Sequence, residues 1–164
     1  MKEYFIDTYN FQHWRIKQYH KHLERLDAGF FDKFIPGSLP TLRALIRHIV
    51  WVDGLWHSRI DGKSYMAETD FPAADIAELF GKWERYSTQW LQRINDANPE
   101  DFEKVIKFQS TSGDSYTNTL RGILIHIADH RAYHSGQLVA GLRMPGVAVI
   151  PTSYPFEYAS SMSH

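Results

Sequence analysis

The 164-residue chain contains no cysteine. Disulfides, thiolate metal sites and cysteine nucleophiles are thereby excluded, and any metal must be held by imidazole nitrogen or by oxygen. Neither sign of charge is in excess: 18 Lys and Arg stand against 19 Asp and Glu, for a formal net charge of −1. No basic surface for nucleic acid or anionic membrane is expected from this balance. No window approaches the ~18 uncharged apolar residues of a membrane span. The opening stretch "MKEYFIDTYNFQHWRIKQYH" carries charges throughout and lacks the apolar segment of a signal peptide. A cytoplasmic location is the expectation from these absences. Internal repeats and low-complexity segments are also missing.

What is present points to a filled interior. Hydrophobic residues make up 43% of the chain and aromatics 15%, enough for one domain over residues 1–164 with a real core. Helical periodicity covers four long stretches. The first runs from Lys2 to Asp27 and stops near Gly29. The second runs from Thr41, just after Pro40, to Ile60; the third from Asp75 to the residues before Pro99. The fourth starts at Thr117, a plausible N-cap, and ends before Met144. Between the third and fourth, Val105, Ile106, Phe108 and Tyr116 flank "SGDS", the pattern of a short hairpin or extended insert. The connection "GKSYMAETDFP" is long enough to cross the end of a bundle. The tail "VAVIPTSYPFEYASSMSH" reads as extended chain packed over the helices. The expected fold is all-α, a four-helix bundle.

The functional signal lies in the histidines. Three of the nine fall at intervals of four in "HIADHRAYHSG", at His126, His130 and His134. A helix turns about 100° per residue, so relative to His126 the other two lie near 40° and 80°, beside a stripe containing Ile123, Ile127 and Leu138. Gln137 shares that side, whereas Asp129 and Arg131 are expected to point elsewhere. On the second helix His48 falls among Leu45, Val52 and Trp56, and His57 falls about 180° away, on the expected solvent face. His13 and His20 on the first helix share a face with Tyr and Lys and are expected to be structural or exposed.

Reach limits the combinations. Two zinc-bound imidazole nitrogens sit within about 3.5 Å of each other. An i,i+4 pair, about 6 Å apart along the axis, can converge; an i,i+8 pair, about 12 Å apart, cannot. The fourth helix can therefore supply His126 with His130, or His130 with His134. The third ligand must come from another helix, and His48 is the inward histidine of the second. Parallel helices would favour the first pair and antiparallel helices the second.

Three stretches resemble a known family: "YNFQHW" at Tyr9–Trp14, "LPTLRALIRHIVWVDGLWHSRIDG" at Leu39–Gly62 and "SGDSYTNTLRGILIHIADHRAYHSGQL" at Ser112–Leu138. The chain looks like a member of the DinB family, within the DinB/YfiT-like superfamily of four-helix-bundle metal-binding proteins, over nearly its whole length. Members carry one ligand histidine on a leucine-rich second helix, followed by an acidic residue and a tryptophan. Their fourth helix carries a His-x-x-x-His ligand pair followed by a small residue and Gln. The matching residues here are His48, Asp53, Trp56, His130, His134, Gly136 and Gln137. The resemblance implies antiparallel second and fourth helices, and one divalent ion, zinc or nickel, on His48, His130 and His134. His126 then becomes a neighbour of the site. Asp53, His126 and Gln137 are candidates for supporting hydrogen bonds or the pocket wall. The family often has Arg after the last ligand histidine, where this chain has Ser135.

Three histidine ligands leave a coordination position open, which suits catalysis better than a structural role. Such an ion lowers the pKa of bound water, or holds a thiolate or oxyanion. Without cysteine, a reactive thiol would have to arrive as substrate or as a low-molecular-weight thiol cofactor, as in thiol-dependent enzymes of the superfamily. The expected function is a divalent-metal-dependent enzyme acting on a small molecule, of thiol-dependent S-transferase, isomerase or hydrolase type. A homodimer is compatible with it. The alternative is a non-catalytic metal- or ligand-binding stress-response protein, damage-inducible as the family name suggests. Neither nucleic acid nor membrane is an expected partner.

Overall fold

The computed structural model describes residues 1–35, 39–63, 65–72, 75–143, 147 and 157–162. In the first helix, α1 (Lys2–Leu23), the buried side chains are Phe5, Tyr9, Gln12, Ile16, Tyr19 and Leu23. Their alternating spacing of four and three puts them on one stripe. The helix stops at Leu23, short of the expected Asp27. Asp27 instead accepts a hydrogen bond from the Gly29 amide and opens a short 3₁₀ turn, Ala28–Asp32, which takes over the role expected of Gly29. Helix α2 (Leu42–Ile60) begins at Thr41, whose hydroxyl accepts from the Ala44 amide. Asp75 does the same for α3 (Ile76–Asp96) through the Glu78 amide.

The expected hairpin is present. Strands β1 (Val105–Gln109) and β2 (Ser115–Thr119) pair antiparallel, with Phe108 opposite Tyr116. Gly113 turns the chain with φ of 93°, a conformation that favours glycine. Helix α4 (Leu120–Arg143) follows directly. Its start is three residues later than the sequence suggests, because Thr117 is engaged opposite Lys107 in the ladder. Thr119 supplies the cap, accepting from the Gly122 amide. Most of the tail expected to pack as extended chain lies outside the described residues. Within it, α5 (Ala159–Ser161) is a single short turn, and the adjoining Tyr158 packs against Phe11 and Trp14.

Aromatic and polar contacts fix the helix directions. Tyr9 meets Trp90 and Tyr19 meets Trp83, so α1 and α3 are antiparallel. Tyr9 donates to the Leu124 carbonyl and Gln12 to that of Ala128, so α1 and α4 are parallel. Leu42 packs at Gly141 and Trp56 at His126, so α2 and α4 are antiparallel. His57 stacks on Trp90 and Asp61 pairs with Arg93, so α2 and α3 run the same way. The four long helices form a bundle in which α1 and α2 both pack against α3 and α4.

Parallel α2 and α3 require the connection between them to return the length of the bundle. It does not cross the end, as its length suggested, but runs back along α2. Tyr65 lies over Gly54, Trp51 donates through Nε1 to the Met66 carbonyl at 3.0 Å, and Arg47 donates to the Glu68 and Phe71 carbonyls. A Cβ at Gly54 would overlap the Tyr65 hydroxyl, so glycine is what lets the connection lie this close. This placement carries Glu68 to the middle of α2, beside His48.

Candidate metal centre

The antiparallel packing of α2 and α4 decides which histidines meet. Of the two pairs open to α4, the level of His48 is that of His130 and His134. Its ring centroid lies 5.2 Å from that of His130 and 5.0 Å from that of His134. The His130 and His134 rings are 4.4 Å apart. One ring nitrogen from each of the three lies within 4.8 Å of the others. The Nε2 atoms of His48 and His130 are 3.2 Å apart, already at the separation of two nitrogens on one zinc ion, about 3.4 Å. These residues could hold a metal ion.

Two rings are oriented by partners on their far side. Glu68 Oε1 lies 2.9 Å from Nδ1 of His48, and Gln137 Oε1 lies 2.8 Å from Nδ1 of His134. Each oxygen accepts from the Nδ1–H, which leaves the Nε2 lone pair free to face the cluster. Sequence reasoning named Gln137 and missed Glu68. Gln137 is three residues from His134 and shares its helical face. Glu68 lies 20 residues from His48 in an irregular segment, where no periodicity could reveal it.

Burial favours the neutral form of His130 and His134. Removal from water is the largest cause holding the His130 imidazole down to about 3, and the neighbouring His134 and His48 rings add to it. Burial also lowers His134. A metal ligand must be a neutral imidazole, so the donor set suits a divalent cation near neutral pH.

The other named residues fall elsewhere. His126 is exposed at the rim, its ring 5.2 Å from Trp56 and 6.1 Å from His130, and it stays outside the three-nitrogen cluster. Asp53, expected beside the site, is fully buried one layer away and binds Arg131. Arg131, expected to point away from the core, is 1% exposed; its guanidinium also donates to Gln12 Oε1 at 3.2 Å. Its neighbour Asp129 is exposed, as the phase predicts.

His57 reverses its expectation. It was assigned to the solvent face of α2 but is buried, stacked on Trp90 at 4.0 Å, with Nε2 donating to the Tyr86 carbonyl at 3.1 Å. The physical reason is that α2 packs on two partners. Its second apolar contact, with α3, covers the face opposite His48. His20 stacks on Phe80 and binds Glu84 at 2.6 Å, while His22 is exposed.

Comparison with known proteins places the chain in a family. The family model described as DinB family matches residues 1–161. Protein DinB of Bacillus subtilis strain 168 is 24% identical over 162 residues, covering 94% of this chain and 93% of that protein. No helix among the described residues is long and apolar enough to cross a membrane.

Proposed function

The chain belongs to the DinB family, and from that premise we propose that it binds one divalent ion, zinc or nickel, through His48, His130 and His134 and uses it in catalysis. The carrying observation is the convergence of three imidazoles from two helices, with ring nitrogens within 4.8 Å of one another. Glu68 and Gln137 are proposed as the residues that hold the His48 and His134 rings in register. An ion held by three histidines has room for a further ligand. When bound, it would supply Lewis-acid polarisation, and would stabilise a thiolate, hydroxide or oxyanion at neutral pH.

The reaction class we favour is thiol-dependent transfer or isomerisation on a small molecule, with metal-assisted hydrolysis second. The absence of cysteine from the chain supports an incoming thiol rather than a protein thiolate. Residues 1–164 are proposed to act as one domain, since the four long helices share a single core cluster.

The experiment is metal analysis of protein purified without a histidine tag and then supplied with zinc or nickel. About one ion per chain is expected, lost on His130→Ala. A chain that takes up no ion under these conditions would remove the proposal. A screen of low-molecular-weight thiols against electrophilic partners then tests catalysis. Metal binding without turnover of thiol or hydrolytic substrates would favour the non-catalytic ligand-binding reading.

A further inference from the structure

A second feature lies on the same side of α2 and shares only Glu68 with the residues that orient the histidines. Between α2, the returning connection and the β1–β2 hairpin is a cavity of about 660 Å³, within the size range of small-molecule sites. Its walls combine aromatic surface from Trp51, Tyr65 and Phe108 with the cationic residues Arg59, Lys63 and Lys107. One carboxylate, Glu68, lines the cavity, and its Oε1 is already bound to His48. Lys63 is partly offset by Asp61 at 3.8 Å.

Arg59 is the unusual member. Its guanidinium lies 4.7 Å from the Trp56 ring centroid and 5.1 Å from that of Phe108, so two aromatic rings hold it in place. Its Nε is buried without a hydrogen-bond partner. Among the described residues no carboxylate lies within ion-pair distance of it, whereas Arg43, Arg93, Arg121 and Arg131 each have one. An arginine that is fixed, half-buried and unpaired beside a cavity matches the planar geometry of a carboxylate or similar oxyanion. The opposite end of the cavity reaches Glu68 and Trp51, the two residues that touch His48 from this side.

We infer that this cavity binds a small amphipathic anion, its carboxylate or comparable oxyanion on Arg59 and its apolar body along Trp51 toward the His48 end, and that this is the substrate class of the metal centre. The role as substrate pocket rests on the catalytic reading above; anion binding at Arg59 does not.

The test uses 4-phenylbutyrate and its neutral amide as probes, titrated into metal-free protein by calorimetry and by NMR. A charge-assisted contact to Arg59 should make the acid bind at least tenfold more tightly than the amide. Arg59→Gln should abolish that preference and Arg59→Lys should retain part of it, with unfolding curves confirming that both variants fold. Equal binding of acid and amide by the wild type would overturn the anion site without reference to any variant. An unchanged preference in Arg59→Gln would do the same. With cobalt(II) in the histidine centre, the phenyl resonances of bound 4-phenylbutyrate should broaden. Sharp resonances on a cobalt-loaded protein would overturn the substrate role and leave the anion site. Failure of cobalt to bind at all, with the acid preference intact, would count against the metal centre and not against Arg59.

Discussion

Replacing Arg131 with methionine isolates the most deeply buried charge in the bundle. Asp53 and Arg131 are 0% and 1% exposed, and the guanidinium Nε lies 3.1 Å from both carboxylate oxygens. Methionine fills much of the volume but leaves the carboxylate unpaired. Breaking one partner of a buried pair costs about 3–5 kcal/mol. At roughly 2–4 °C per kcal/mol for a domain of this size, the midpoint of thermal unfolding should fall by about 6–20 °C. The pH dependence gives a second signature. Burial already pushes the Asp53 carboxyl up against the opposing pull of Arg131, and without Arg131 it rises further. The folded state then binds more protons than the unfolded chain between the unfolded value, about 3.9, and the raised one. The penalty is therefore full above the raised pKa and shrinks as pH falls toward about 4. Urea unfolding at several pH values measures both effects. The double variant Asp53→Leu with Arg131→Met should recover most of the loss, because no lone charge remains. A single-variant loss below about 1 kcal/mol, or a penalty independent of pH, or a double variant as weak as the single, would each refute the reasoning.

Glu68→Ala should weaken zinc binding about 10- to 100-fold by freeing the His48 ring, as read by competition with a chromophoric chelator, while leaving the unfolding midpoint of the metal-free protein nearly unchanged. His57→Gln should leave metal stoichiometry at one per chain, since this ring sits on the α3 side of α2. Burial lowers His57 to about 4, so the folded state binds fewer protons than the unfolded chain between about 4 and 6.5. Wild-type stability should accordingly decline as pH falls through that window, and more shallowly in the variant. Gly54→Ala should cost about 1–3 kcal/mol by overpacking, since its Cβ would overlap the Tyr65 hydroxyl and lie 2.9 Å from that of Tyr86. Adding Tyr65→Phe should return part of that loss in urea titrations, and no recovery would place the strain elsewhere.

Much of the helical architecture is legible residue by residue. Thr41 and Asp75 are read correctly as helix starts, and each proves to be the N-cap, a local bond between a side chain and an amide three residues on. Thr117 is misread as one because pairing with Lys107, a longer-range contact, claims it first. Helix geometry lets His130 pair with either His126 or His134 and helical phase offers His48; the likeness to the DinB family is what selects His134 over His126. His57 and Arg131 are misplaced for one shared reason. Phase around a helix separates a single apolar stripe from water, whereas α2 and α4 each bury more than one face against their neighbours.

By itself, then, the sequence determines what depends on spacing and on inventory. It sets the oxygen-or-imidazole donor set through the missing cysteines, the four helices through their periodicity, and the reach of one histidine pair through a rise of about 1.5 Å per residue. Tertiary structure decides what depends on which segments become neighbours. The parallel course of α2 and α3 forces the connection to return along α2, and that return brings Glu68 to His48 and walls the cavity beside Arg59. Contacts between distant irregular segments leave no period in the chain, so only the folded bundle reveals them.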